Sequence, residues 1–202
     1  LKVGEAVIGP SSSERTAPAL RKPRLRKDVD ASKLITEGDI SPMQFRALMA
    51  LSLQAIQSER DRLNSLDGAI GDGDHGLTME IGWKAVQDVL ENTENPPTIT
   101  LVCNDIADAF LEAVGASVGP LYSSGFQAAG RAVSDRLNLD AEALTRWLEA
   151  MAGGIQKRGG AIVGQKTMVD AWAPAAEAAR RCLNGGGSSV DCLDAAARAA
   201  EQ

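Results

Sequence analysis

Three aspartates fall within eight residues, in the segment 66–79 that reads LDGAIGDGDHGLTM. Asp67 follows Leu63 by four residues on an apolar helical face, so helical spacing aims it toward the protein interior. Asp72 and Asp74 follow in a glycine-rich turn. Three converging carboxylates repel one another unless cations neutralise them, and hard oxygen ligands favour Mg²⁺ or Ca²⁺. The segment therefore predicts a divalent-cation site.

Two other interpretations of this segment are an EF-hand and a set of helix caps and turns. An EF-hand fails, because counting from Asp72 places Leu77 at the invariant glycine and Trp83 at the bidentate glutamate. Aspartates near glycine also commonly cap helices and stabilise turns. A Mg²⁺ ion held by carboxylates and ligand phosphates fits better, since the helix after Gly76 could offer its N–H groups to those phosphates. The sequence has no P-loop motif, and no GxGxxG opens a βαβ unit.

Apolar residues at helical spacing predict the helices that position these aspartates. Seven helices separated by loops are expected. The first is expected to begin at Ser41-Pro42 and the fifth at Asp140. The fourth is expected to run through about Arg136. The first helix presents an apolar face formed by Phe45, Leu48, Met49, Ile56, Leu63 and Leu66. The pattern predicts an all-α, up-and-down bundle over residues 41–202, preceded by a flexible basic extension or linker over residues 1–40.

Four glycine-containing breaks separate these helices: GAIGDGDHG, VGASVGP, RGGAIVG and NGGGSS. If alternate helix ends meet at one rim of the bundle, several of these loops converge there. Glycine lets the backbone approach a ligand closely, and helix N-termini attract anions. The breaks suit a phosphate-bearing ligand, although loops of this composition can also be simple turns.

Composition narrows the class of protein. The net charge is −6, and residues 1–28 carry seven Lys/Arg against three acidic residues while the remainder is acidic. An acidic body argues against nucleic-acid binding. No apolar run is long enough to span a membrane, and the three cysteines lack zinc or disulfide spacing. A cytoplasmic protein is expected, with Trp83, Trp147 and Trp172 packing in its core.

Three segments in order, LDGAIGDGDHGLTM, GASVGPLY and RGGAIVGQKTMVDAWAPA, resemble the motifs of the L subunit, or nucleotide-binding domain, of dihydroxyacetone kinases. The resemblance implies an antiparallel helical barrel that binds ADP or ATP at one rim through two Mg²⁺ ions. By that match the metal ligands are Asp67, Asp72 and Asp74. The residues implied to contact the nucleotide are His75, Gly76, Leu77 and Thr78 at the phosphates, Ser117 and Val118, Gly159, and Met168 near the adenine.

The resemblance also implies an activity. Members of this family transfer the γ-phosphoryl group of ATP to dihydroxyacetone held on a separate K subunit or domain. In one branch ADP stays bound and is rephosphorylated by a phosphotransferase-system protein, and in the other ATP exchanges. No catalytic residue beyond the metal ligands is assigned to this chain.

The sequence departs from the family pattern in three places. The second motif commonly reads GGASGP, so Val118 replaces a polar contact, and Gln165 stands where an Asp is usual. The chain ends before the segment that carries the family's last helix. Two alternatives therefore stay open: a non-catalytic, truncated binding module, or a kinase component for a related ketose such as erythrulose.

Overall fold

The computed structural model describes residues 38–69, 71–93, 96–115 and 117–201. Apart from an isolated β-bridge between Ile40 and Leu139, the regular structure in these ranges is helical. The predicted all-α class is confirmed. The seven helices of the described part are α1 (Pro42–Asp67), α2 (His75–Asn92), α3 (Ile99–Ala113), α4 (Val118–Ala132), α5 (Ala141–Gly159), α6 (Val169–Asn184) and α7 (Ser189–Ala200).

Four of the helices begin at a residue whose side chain caps the first turn. The Ser41 hydroxyl accepts a hydrogen bond from the Gln44 amide at 3.3 Å, and the Gln44 side chain accepts one from the Ser41 amide at 2.9 Å. The side chains of Thr98, Asp140 and Ser188 likewise accept from an amide in the first turn of α3, α5 and α7. Each cap satisfies amides that a helix start leaves unpaired. The predicted starts of the first and fifth helices are confirmed.

Each helix packs mainly on its neighbours in the chain, as an up-and-down arrangement requires. Helices α4 and α5 approach closely because glycines face each other: a Cβ added to Gly154 would lie 2.9 Å from the Gly125 Cα. Helix α1 packs on α2 and slightly on α3, and α7 packs on α6 and α5. Across the described residues, these two terminal helices share no extended interface.

A chain of aromatic rings runs through the core. Trp83 contacts Phe110 edge-on, with ring centroids 5.4 Å apart, and Trp147 contacts Phe45 at 5.5 Å. Both tryptophans are buried, as predicted, whereas Trp172 is half-buried and packs against the core from α6. Such edge-on pairs stabilise a core beyond the apolar area that they bury.

Two details of the sequence prediction are wrong. Leu66 is 61% exposed, although it was placed on the apolar face of the first helix, because the last turn of α1 extends past the surface that α2 covers. The fourth helix ends at Ala132 rather than near Arg136. After it the chain turns so that Leu139 can pair with Ile40, and this pairing buries both side chains.

The remaining expectations concern the chain ends and the membrane. Ile40, the last residue of the expected extension, is itself part of the core. The rest of that extension, residues 1–37, lies outside the described residues. Within the described ranges, no helix combines the length and the apolar character that crossing a membrane would require.

Candidate metal and phosphate site

Three carboxylates converge where α1 ends and α2 begins. Asp67 is the last residue of α1, Asp72 lies in the following turn, and Asp74 is the residue before α2. One oxygen from each lies within 4.8 Å of the others. Asp67 is half-buried, while Asp72 and Asp74 are exposed. The aspartates that were singled out by spacing therefore form one cluster, at the rim of the bundle rather than in its interior.

Asp67 also organises the turn that carries the other two. Its Oδ2 accepts hydrogen bonds from the Gly73 amide at 2.9 Å and from the Asp74 amide at 3.2 Å. Gly73 adopts φ +76°, a left-handed conformation that glycine takes without strain. One Asp67 oxygen therefore shapes the loop, and the rest of the carboxylate stays available to the cluster.

The first turn of α2 presents its backbone to the same place. Among the described residues, the amides of His75 and Gly76 have no hydrogen-bond acceptor, whereas the Leu77 amide donates to Asn64 Oδ1 at 3.1 Å. The Thr78 amide donates to the Asp74 carbonyl at 2.9 Å within the helical ladder. Unpaired amides at a helix start attract anions. The His75 amide is thus free to contact a phosphate, since His75 lines the cavity at this helix start.

A cavity of about 470 Å³ connects this turn to the break between α3 and α4. Seven of the eleven predicted site residues line it: Asp67, Asp72, Asp74, His75, Thr78, Ser117 and Val118. Pockets of this volume are typical of small-molecule sites. The two glycine-containing breaks 68–74 and 114–117 therefore meet at one rim, as the alternating pattern predicted.

The other four predicted residues do not line the cavity. Gly76 faces α1, and Leu77 is 48% exposed. Gly159, at the end of α5, lies against Leu121 of α4, where an added Cβ would come within 2.9 Å of the Leu121 Cδ2. Met168 is the residue before α6, makes no capping hydrogen bond and packs against the core. The roles of Gly159 and Met168 toward a nucleotide stay predictions.

The fourth glycine break, NGGGSS, lies at the opposite end of the bundle. Its serines Ser188 and Ser189 share a cavity with Asp39, which precedes α1, and with Ala141, which begins α5. Helix α1 is 26 residues long, about 39 Å, and separates this cavity from Asp67. NGGGSS is therefore a turn remote from the carboxylates.

Four lining residues were missed by the sequence analysis: Ile81, Ala113, Val114 and Gly115. Ile81 lies one turn after Thr78 on α2, so helical periodicity from the predicted phosphate residues could have found it. Ala113 ends α3, and Val114 and Gly115 follow it in the VGASVGP break, which was expected at the rim without these residues being named.

The donor set fits Mg²⁺. The three carboxylates supply hard oxygen ligands, and none of them is paired with a Lys, Arg or His side chain in the part of the chain that the structure describes. Concentrated negative charge without a protein cation favours a bound metal ion. Mg²⁺ typically uses one or two protein carboxylates and completes its shell with water and phosphate oxygens.

Comparison with known proteins identifies relatives of this chain. A family profile described as DAK2 domain matches residues 69–202. The chain is 38% identical over 125 residues to the ADP-binding subunit DhaL of PEP-dependent dihydroxyacetone kinase 1 from Listeria innocua, spanning 62% of each chain. It is 34% identical over 146 residues to the corresponding Escherichia coli subunit, spanning 72% of this chain and 69% of that one.

A solved structure shares the fold. The dihydroxyacetone kinase from C. freundii in complex with AMP-PNP and Mg²⁺ superimposes with a TM-score of 0.62 at 25% identity, over 91% of this chain and 33% of that one. The chain thus spans about three-fifths of the Listeria relative's length and a third of the C. freundii chain. With a profile matched over most of its length, the chain belongs to the DAK2 domain family.

Proposed function

We propose that the chain is the Mg²⁺–ADP/ATP-binding component of a dihydroxyacetone kinase. It would position the phosphoryl donor for transfer to dihydroxyacetone held on a partner K subunit or domain, giving dihydroxyacetone phosphate. The observation that carries this proposal is the cavity in which three carboxylates adjoin the start of α2, where the His75 amide has no acceptor among the described residues. The relatives named as ADP-binding subunits support the same assignment.

The proposed division of labour follows from the site. Asp67, Asp72 and Asp74 would hold two Mg²⁺ ions, and the His75 and Gly76 amides would hold phosphate oxygens. Thr78, Ser117 and Val118 line the same cavity, where they could contact the nucleotide. When bound, Mg²⁺ neutralises the charge on the phosphate oxygens, which together with positioning is most of what phosphoryl transfer requires.

Binding should depend strictly on the metal. A nucleotide polyphosphate is an anion, and the cavity already holds three carboxylates without a paired protein cation. The partial positive charge of the unpaired amides at the start of α2 is too small to offset that repulsion. We therefore expect ADP to bind with Mg²⁺ and to dissociate when the metal is removed.

The partner and the donor are further parts of the proposal. Several relatives are named PEP-dependent or PTS-dependent, which favours a phosphotransferase-system protein as donor to bound ADP over free exchange of ATP. A cytoplasmic location accords with such a donor. We also propose that the nucleotide-binding unit comprises the helical residues 41–202 and that residues 1–37 are dispensable for it. The ketose, dihydroxyacetone or a relative such as erythrulose, would be selected by the partner that holds it.

The deciding experiment is calorimetric titration of ADP into the purified chain, first with Mg²⁺ and then with excess EDTA. Asp72→Asn removes one carboxylate charge and should abolish Mg²⁺-dependent binding while leaving the helical circular dichroism unchanged. Asp88→Asn is the matched control, because Asp88 is exposed on α2 and does not line this cavity. Equal binding by wild type and Asp72→Asn would refute the assignment.

A second candidate is a non-catalytic binding module. The apolar Val118 in the wall of the cavity favours it, because an aliphatic side chain offers no hydrogen bond to a nucleotide. In that case the folded chain would bind a K subunit in a pull-down and would take up no ADP at any Mg²⁺ concentration. Metal-dependent ADP binding would exclude this alternative.

A further inference from the structure

Helix α2 lacks a cap from its own N-cap residue. Asp74 occupies that position with φ −116° and ψ 2°, and its side chain makes no capping hydrogen bond. Aspartate at an N-cap ordinarily accepts from the amide two or three residues later, and its backbone is ordinarily extended. Here the carboxylate stays with Asp67 and Asp72 in the cluster. Another group must therefore accept hydrogen bonds from the backbone amides of the first turn of α2.

Asn64 of α1 takes that place. Its side-chain Oδ1 accepts from the Leu77 amide at 3.1 Å, the third amide of α2 and the one that an N-cap side chain normally binds. The two residues are 13 apart in sequence, so the cap is supplied across the helix–helix interface. Gly76 makes this possible, because a Cβ there would lie 2.8 Å from the same Oδ1 and overlap the Arg60 carbonyl oxygen.

The register between the two helices is fixed further along the same face of α1. Glu80 of α2 is buried and accepts from Gln57 Nε2 at 3.1 Å and from the Arg60 guanidinium at 3.3 Å. Gln57, Arg60 and Asn64 follow one another at helical spacing, so they form one stripe against α2. Their bonds hold Asn64 opposite the first turn.

We propose that Asn64 is a positioning residue that caps α2 in place of Asp74 and thereby keeps the Asp74 carboxylate in the metal cluster. The effect on the metal cluster rests on the proposed function. The prediction that Asp74 caps α2 when Asn64 is absent does not rest on it. Without Asn64, the Leu77 amide lacks an acceptor, and Asp74 already occupies the N-cap position three residues before it. The adjacent Gly73 lets the turn rearrange, so Asp74 would become the cap and leave the cluster.

The first measurement is the Kd of ADP in the presence of Mg²⁺ for three variants. Asn64→Ala should weaken binding at least about tenfold, the range found when residues that orient metal ligands are removed. Asn64→Asp keeps an acceptor of the same shape and should restore most of the affinity. Ser65→Ala is the matched control, since Ser65 is the next residue of α1 and is exposed. An affinity of Asn64→Ala equal to that of wild type would overturn the proposal.

A second measurement needs no metal. Thermal unfolding in EDTA is compared for Asn64→Ala, Asp74→Ala and the double variant. Each single variant keeps one residue that can cap α2, so its thermal midpoint should fall by less than about 1 °C. The double variant keeps neither, so its thermal midpoint should fall by about 2–4 °C. Additive losses would overturn the exchange of caps. If wild type binds no Mg²⁺–ADP, the proposed function alone fails, because this cycle still decides which residue caps α2.

Discussion

Replacing Gly76 by alanine tests whether close packing of α1 and α2 assembles the site. Gly76 is buried in the first turn of α2, and a Cβ added there would overlap the carbonyl oxygen of Arg60. It would also lie 2.8 Å from Asn64 Oδ1. The obstacle is backbone in the middle of a long helix, which cannot move aside like a flexible side chain. The start of α2 must therefore shift away from α1, by about 1 Å.

The expected magnitude has two parts. Overpacking costs about 1–3 kcal/mol of unfolding free energy, and alanine returns about 1 kcal/mol through its helix propensity, which leaves a net loss of up to about 2 kcal/mol. The same shift separates Asp74 from Asp67 and lengthens the Asn64–Leu77 bond. A displacement of about 1 Å in a positioned site can cost about a hundredfold, so Mg²⁺-dependent ADP affinity should fall far more than stability does.

The assay pairs urea unfolding with ADP calorimetry in Mg²⁺. Gly153→Ala is the matched control, because Gly153 lies inside α5 and nothing stands within 4 Å of an added Cβ. That variant should gain about 0.5–1 kcal/mol of stability and bind ADP normally. Gly76→Ala with wild-type affinity would show that contact between these helices does not hold the site together.

Three further predictions concern other side chains. Gln57, followed by Lys84, holds the pKa of Glu80 below its ordinary value of 4.5, so Glu80→Gln should destabilise the protein at neutral pH. That deficit, measured as a difference in thermal midpoint, should shrink as the pH falls below 4.5 and through the lowered pKa of Glu80, because protonation of wild-type Glu80 removes the same interactions. Burial raises the pKa of the Cys103 thiol to about 12, so in native protein at pH 8 iodoacetamide should leave Cys103 unmodified, as peptide mass spectrometry can check. Asp170 accepts from the Gly164 amide at 2.5 Å and the Thr167 amide at 2.8 Å, so Asp170→Ala should speed hydrogen exchange at both amides.

Local signals in the sequence were sufficient for much of the fold. The Ser41-Pro42 start is encoded within four residues by the capping box with Gln44, and Asp140 caps α5 through an amide three residues away. The exposure of Leu66 could not be read in this way. Its spacing is that of a buried residue, and only the point where α2 begins to cover α1 decides otherwise.

The site shows the same division between local and long-range information. The three aspartates were found because they are close in sequence and share one chemistry. Asn64 was not found, because its bond to Leu77 crosses between helices and an asparagine within a helix carries no sign of capping another. Val114 and Gly115 reach the cavity only through the meeting of two loops, which spacing along one helix does not encode.

The packing of each helix on its sequence neighbours has a consequence for folding kinetics. The helices that pack on one another are consecutive in the chain, so the topology has low contact order, and low contact order favours fast folding. The three carboxylates and the phosphate amides all belong to the hairpin of α1 and α2. The cation-binding half of the site can therefore form as soon as this hairpin closes, before the C-terminal helices have docked.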